Sequence, residues 1–177
     1  MIHVVYYVAS SVDGFIAPED GSLDWLSPFS SSGEDHGYTD FYASIDALVV
    51  GARTYEQMLD FGEWPHQDRP VTVMSSRPLP VAGGSITISA LDPNAVVEEL
   101  ASRGHRRIWL VGGGTLASSF AEANLIDEYI ISYVPVLLGS GIGLLGGRGD
   151  MRALKLVQAR TVEDGIVQCR YGRHVGD

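Results

Sequence analysis

A single cysteine, Cys169, stands among the 177 residues, which excludes an internal disulfide framework and suits a reducing compartment. Positive charge is scarce as well. The chain has 12 lysines and arginines against 22 aspartates and glutamates, a formal net charge of −10. That balance argues against nucleic acid or an anionic membrane as the main partner. No apolar run approaches the roughly 18 residues of a membrane-spanning helix. The first residues lack the basic-then-apolar signature of a secretory signal, so a cytoplasmic protein is expected. The histidines His3, His36, His66, His105 and His174 show no ligand spacing, and with one cysteine no metal site is expected. Neither a G-x-S-x-G elbow nor a Walker sequence occurs. What the chain has is 45% hydrophobic and 9% aromatic residues, enough to bury a full core, at a length that reads as one domain, 1–177.

The apolar runs are short, β-branched and continuous. Residues 2–10 (IHVVYYVAS), 46–50 (DALVV), 71–74 (VTVM), 85–88 (SITI) and 108–111 (IWLV) suit strands covered on both faces. Helical stretches lie between them at 52–59, 93–102 and 115–123. Asp92 can cap the second of these, with Pro93 at the first helical position, where a missing N–H costs nothing. Strands alternating with helices predict an α/β sheet with layers on both faces. After Asn124 the rhythm changes. A long strand is predicted over 127–138, then a glycine-rich loop over 139–149, then strands over 154–161 and 166–171. The turn Glu163-Asp164-Gly165 between the last two is a hairpin signal. The expected architecture is a mostly parallel sheet with an antiparallel C-terminal edge. Residues 30–37 (SSSGEDHG) read as a mobile loop.

Three segments carry chemistry. In Trp109-Leu-Val-Gly-Gly-Gly-Thr-Leu-Ala-Ser118, a buried-type strand runs into three glycines and a helix starts at once. Glycines there let a ligand approach the backbone, and the helix N-terminus offers free N–H groups to an anion. A tight strand-to-helix turn without a ligand is the alternative. In Gly51-Ala-Arg-Thr-Tyr-Glu56, Arg53 and Thr54 fall in a first helical turn, where a cation opposes the helix dipole. An anion shared between Arg53, Thr54 and the helix N–H groups explains it; a solvated arginine also does. Met74-Ser-Ser-Arg-Pro78 offers two hydroxyls and a planar guanidinium, a set that fits a phosphomonoester, although a serine–proline turn has the same composition. All three follow strand C-termini, the edge at which open α/β sheets bind ligands. The literal G-x-G-x-x-G at 141–146 lacks a following helix and reads as a flexible loop. Cys169 reads as core packing.

Taken together the chain resembles the dihydrofolate reductase superfamily, and more closely the reductase (C-terminal) domain family of the riboflavin-biosynthesis protein RibD. The resemblance rests on Ser11-Val-Asp-Gly-Phe-Ile-Ala17, Gly51–Glu56, Ser75-Ser-Arg-Pro78, Val111-Gly-Gly-Gly114, and Asp127-Glu leading to Pro135-Val-Leu-Leu-Gly139. It implies a three-layer α/β/α sandwich and NADPH as hydride donor. Arg53 and Thr54 would then meet the cofactor phosphates, with Ser75, Ser76 and Arg77 at the 2′-phosphate and adenine ribose. Gly112, Gly113, Gly114, Thr115 and Leu116 would border the pyrophosphate, with a cis peptide at Gly112–Gly113. Ala9 and Ile16 would flank the nicotinamide.

On the substrate side the resemblance implies an acid at the start of the first helix. Counting back from Gly51 lands on Asp35, or on Gly37 with a shorter loop. Glu34 or Asp40 could serve instead, and each could equally be a cap or a surface acid. Trp25 would correspond to the tryptophan of a mobile loop. Phe41 and Tyr42 would wall the substrate pocket, and Ser132 would reach its floor. Asp13 is expected to order its loop. The implied substrate is a RibD-like aminopyrimidine ribosyl phosphate; the alternatives are a dihydropterin or dihydrofolate substrate, or a non-catalytic NADP-binding module. A phosphorylated substrate needs a further cationic pocket, for which Arg148 and Arg152 are candidates. A homodimer built partly from the C-terminal strands is implied as well.

Overall fold

The computed structural model describes residues 2–29, 35–146 and 150–174. The apolar runs condense into one eight-stranded sheet. Its strands are β1 (His3–Ser11), β3 (Ala47–Gly51), β4 (Val71–Met74), β5 (Ile86–Ser89), β6 (Arg107–Gly112), β7 (Glu128–Val134), β9 (Leu154–Thr161) and β10 (Val167–Arg173). A separate two-stranded ribbon pairs β2 (Phe15–Ala17) with β8 (Ile142–Gly143). In the main sheet the order is β5-β4-β3-β6-β1-β7-β10-β9. The first six strands in that row are parallel, and β10 runs antiparallel to both β7 and β9. This is the predicted mixed sheet with its antiparallel edge.

Helices cover both faces because the central strands are apolar on both. Under α3 (Pro93–Ser102) and α4 (Gly114–Glu122) lie Val4, Tyr6, Val49 and Leu110 with Phe120. Under α1 (Tyr38–Ser44) and α2 (Ala52–Asp60) lie Val5, Leu48, Val50 and Trp109 with Phe41 and Tyr55. Helix α3 starts as its sequence dictates. The Asp92 carboxylate accepts from the N–H groups of Asn94 and Ala95, and Pro93 takes the first turn. A cap of that kind contributes about 1 kcal/mol. None of the described helices is long and apolar enough to cross a membrane.

The structure corrects several expectations. The strand predicted over 127–138 stops at Val134, one residue before Pro135, which has no N–H to continue a ladder. Helix α1 is implied only by the resemblance, and the 3-10 turn Asp24–Phe29 and the ribbon were not read from the sequence. Residues 30–34 of the expected mobile loop lie outside the described residues; residues 35–37 form a capped turn onto α1. The expected flexible loop at 141–146 is instead held in place by backbone hydrogen bonds to Gly14 and Gly114.

Candidate functional site

Neighbouring positions in the sheet bring the three motif segments to one edge. Strand β3 lies between β4 and β6, and all three end on the same side. Gly51 closes β3 and caps α2, and Gly113 caps α4. Neither cap provides a side-chain hydrogen bond, so the leading N–H groups of both helices are left for solvent or an anion. The backbones meet closely here. A Cβ on Gly51 would lie 3.4 Å from the Gly112 carbonyl oxygen, and one on Gly113 would lie 3.3 Å from Thr54 Oγ1. Gly112 has φ +115°, and the Gly112–Gly113 peptide is cis, as the resemblance implies. Thr115 is exposed and Leu116 half-buried beside this turn.

Arg53 projects from the first turn of α2 into solvent and has no ion pair among the described residues. Beyond β4, the Ser75 hydroxyl accepts from Arg77 N–H at 3.1 Å and donates to the Arg77 carbonyl at 2.7 Å, which fixes a tight turn. Ser76 is exposed on it. The Arg77 guanidinium reaches back to Glu56 of α2 at 2.5 Å. The edge therefore gathers two uncapped helix starts, the Thr54 and Ser76 hydroxyls, Arg53, and Arg77 in its pair with Glu56, around a glycine seam, with the Ser75 hydroxyl used to shape the turn. This donor set fits a nucleotide carrying several phosphates, and side chains at Gly51 or Gly113 would narrow the seam.

Alongside lies the turn after β1. Ser11 Oγ donates to Asp13 at 2.6 Å and accepts from Phe15 N–H at 2.9 Å. Asp13 also accepts from the N–H groups of Leu138 and Gly139 at 3.1 and 2.7 Å, so it orders its loop and a distant one together. These bonds, the Ser11 hydroxyl first, hold its carboxyl below the ordinary range. The segment 141–146 is knitted in by Leu144 N–H to the Gly14 carbonyl, Gly146 N–H to the Gly114 carbonyl and Tyr6 Oη–H to the Leu144 carbonyl. A Cβ on Gly114 would lie 2.2 Å from the Gly143 carbonyl oxygen, and one on Gly141 would lie 2.2 Å from that of Ala17. The glycines in this run serve close backbone packing rather than flexibility. Ile16 is half-buried on β2, in the ribbon with β8 that these contacts hold.

The substrate-side residues divide. Phe41 stacks on Tyr7 with ring centroids 4.4 Å apart and is buried. Tyr42 donates to Asp68 at 2.6 Å and lies under the Arg69 guanidinium, so its hydroxyl is already engaged. Trp25 is half-buried on the 3-10 turn, and its indole N–H has no hydrogen-bond partner among the described residues. Asp35, expected as a proton donor, is a helix cap here. It accepts from Gly37 and Thr39 N–H at 2.8 and 3.0 Å. The Thr39 hydroxyl and then these N–H groups hold its carboxyl below the ordinary range. A carboxylate so held is a poor acid near neutrality. Asp40 is exposed in the first turn of α1, and Glu34 lies outside the described residues. Arg152 donates to the Ala121 and Glu122 carbonyls at the C-terminus of α4, away from the α1 face. Arg148 lies outside the described residues.

Ser132 is brought to Ala9 by strand register, and the row continues across the sheet. Ala9 pairs with Ser132, Ser132 with Gln168, and Gln168 with Arg160. Gln168 Nε2 donates to Ser132 Oγ at 3.0 Å. The next row on the same face of the sheet holds Tyr7, Ile130, Arg170 and Gln158. The sequence reading missed Tyr7, Gln158, Arg160, Gln168 and Arg170. Polar residues two apart at 158 and 160, and at 168 and 170, were the available signal.

Comparison with known proteins agrees with this architecture. The profile of the RibD C-terminal domain family matches residues 2–168. The chain is 39% identical over 141 residues to the uncharacterized protein YwjB of Bacillus subtilis, a match covering 79% of this chain and 80% of that one. It is 46% identical over 83 residues to the 2,5-diamino-6-ribosylamino-4(3H)-pyrimidinone 5′-phosphate reductase of Archaeoglobus fulgidus, covering 45% of this chain and 38% of the relative. The crystal structure of a putative riboflavin biosynthesis protein from Shewanella sp. PV-4 superposes with a TM-score of 0.88 at 29% identity, over 98% of this chain and 99% of that one.

Proposed function

The chain belongs to the RibD C-terminal domain family, a family of riboflavin-pathway reductases, and from that premise we propose an NADPH-dependent reductase acting on an aminopyrimidine ribosyl phosphate. The observation that carries the reading is the shared edge of β4, β3 and β6, where phosphate-binding groups from three separate segments surround a glycine seam. Arg53, Thr54 and the N-terminus of α2 take cofactor phosphates, and Gly112–Leu116 with the start of α4 take the pyrophosphate. Ser75, Ser76 and Arg77 take the 2′-phosphate. Ala9 and Ile16 flank the nicotinamide, which supplies the hydride when bound. Ser132, beside Ala9 in the sheet, serves as the substrate floor, Phe41 lines the cleft next to that row, and Trp25 and Tyr42 complete the enclosure in this reading. These residues bind, orient and exclude water.

The dihydropterin alternative requires a carboxylic acid over the substrate. The capping role and lowered carboxyl of Asp35 speak against Asp35 as that acid; Asp40, on the cleft wall beside Phe41, is the carboxyl this alternative would need. NADPH oxidation is measured in parallel with the ribosylaminopyrimidine phosphate and with dihydrofolate. Oxidation with the first alone is expected. Turnover with dihydrofolate alone overturns the substrate, and tight NADPH binding without turnover on either points to a non-catalytic NADP-binding module. The working unit in this reading is a homodimer joined through the C-terminal strands.

A further inference from the structure

A cleft of about 460 Å³ opens between α1 and the C-terminal strands. Tyr7, Phe41 and Ile130 form its apolar part, and Gln158, Gln168 and three arginines its polar part. Two of those arginines are spent. Arg107 and Arg170 both pair with the buried carboxylate of Glu128, which also meets His3. Arg160 is different. Its Nε and Nη2 bond the Gln168 side-chain oxygen at 3.0 and 2.7 Å, and Nη2 also donates to the His36 carbonyl at 2.7 Å. All of these acceptors are neutral, and Nη1 has no partner among the described residues. In a chain of net charge −10, a guanidinium oriented by neutral groups and left without a carboxylate is a counter-charge in waiting. Among the described residues the nearby acids are Asp40, also on the cleft wall, Glu163, on the far side of Arg160, and Asp35, whose charge acts on Tyr7 as that of Arg160 does, with opposite sign; none of the three pairs with it.

The position of Arg160 follows from strand register. It closes the row that begins at Ala9, three strand spacings away. At about 4.8 Å per spacing that is roughly 14 Å, and an arginine side chain pointing back shortens it. Gly37 arches over the guanidinium so closely that a Cβ there would lie 2.5 Å from Nη2. We infer that Arg160, positioned by Gln168 and the His36 carbonyl, is the anchor for a phosphomonoester on the substrate, at the far end of the row from the nicotinamide site. The inference rests on the reductase reading for the identity of the ligand, and supplies the further cationic pocket that a phosphorylated substrate needs.

Ribose 5-phosphate is the probe, with ribose as control, titrated calorimetrically into the full chain. Binding of ribose 5-phosphate is expected, with ribose much weaker. Arg160→Gln should weaken the phosphate ligand about ten- to hundredfold. Arg160→Lys should recover part of that loss, since it keeps the charge without the fork. NADPH affinity should not move, and the unliganded melting temperature should fall only by the small cost of the lost Gln168 and His36 hydrogen bonds, in Arg160→Lys as well as in Arg160→Gln. Ribose 5-phosphate binding that survives Arg160→Gln and is lost in Arg77→Ala overturns the assignment, as does equal binding of ribose. Failure of the reductase reading looks different: NADPH binding is absent while the Arg160-dependent phosphate site persists.

Discussion

In the free protein the Arg77 guanidinium is held by Glu56 at 2.5 Å, with both side chains open to solvent. A 2′-phosphate arriving there competes with that carboxylate, which Arg77 keeps ionised by holding it below its ordinary range. Arg77→Ala is therefore expected to weaken NADPH roughly tenfold while scarcely changing NADH. Glu56→Gln should act the opposite way, tightening NADPH severalfold by freeing the guanidinium. Fluorescence titration of each variant with both cofactors checks the pair of expectations, and equal losses for NADPH and NADH in Arg77→Ala refute the assignment. Glu128 carries a different load. Its side chain is only 5% exposed. Burial pushes its carboxyl up, but the His3 hydrogen bond and the charges of Arg170 and Arg107 outweigh that, and the net direction is down. A carboxyl lowered in the folded state contributes stability that is full above its unfolded value near about pH 4.3 and is lost as pH falls through the folded value. Glu128→Gln should cost about 3 kcal/mol at neutral pH, the lower end for one partner of a buried pair, because Arg170 can turn to solvent. Chemical denaturation at pH 7 and pH 4 measures this; the wild type should lose more between the two than the variant does.

Segment 141–146 shows how an element can be fixed from outside itself. Gly114 is the point of closest approach, and the atom a Cβ would strike is a backbone carbonyl that cannot rotate away. Gly114→Ala should therefore cost about 1–3 kcal/mol, the range for overpacking, and should impair NADPH binding by moving the start of α4. Thermal melting and cofactor titration on the same sample test both; a variant as stable as wild type would mean the segment gives way freely. The same contact explains what could be read in advance. The strands at 71–74 and 154–161 and the helix at 93–102 were legible because their cause is local: continuous apolar runs, alternation, and a cap of Asp92 with Pro93. The ribbon of β2 and β8 was not, since three residues and two are held by Asp13, Gly14 and Gly114 from elsewhere in the chain. Helix α1 hid behind aromatic residues that favour strands. The cofactor edge was legible because each motif lies within one strand-to-helix passage. The row from Ser132 to Arg160 was not, because it exists only once three strands are in register, and no motif spans them.

Across the whole molecule the sheet is unevenly covered. Helices lie over both faces of the parallel half, but β9 is exposed along its full length, from Leu154 to Thr161. Leu154, Leu156, Val157 and Val167 are 40–57% exposed on this edge and its partner β10. A long edge strand with exposed leucine and valine is a template for pairing unless something covers it; Lys155, Arg160 and the register shift opposite Arg170 and Tyr171 blunt this one only in part, leaving Leu154, Leu156 and Val157 open. Pairing through the C-terminal strands of a second copy would bury those side chains together, since a twofold interface presents the same patch to itself. It would also place Leu156 next to its own symmetry mate or a close neighbour, so a charge there would meet its equivalent in apolar surroundings. Leu156→Glu is accordingly expected to turn a dimer into a monomer with little effect on the fold of the isolated chain, because the wild-type side chain makes few contacts within it. Light scattering coupled to size-exclusion chromatography reads the mass directly. A wild-type chain that elutes as a monomer, or a Leu156→Glu chain that remains a dimer, would remove this edge as the interface while leaving the cofactor edge, on the opposite half of the sheet, untouched.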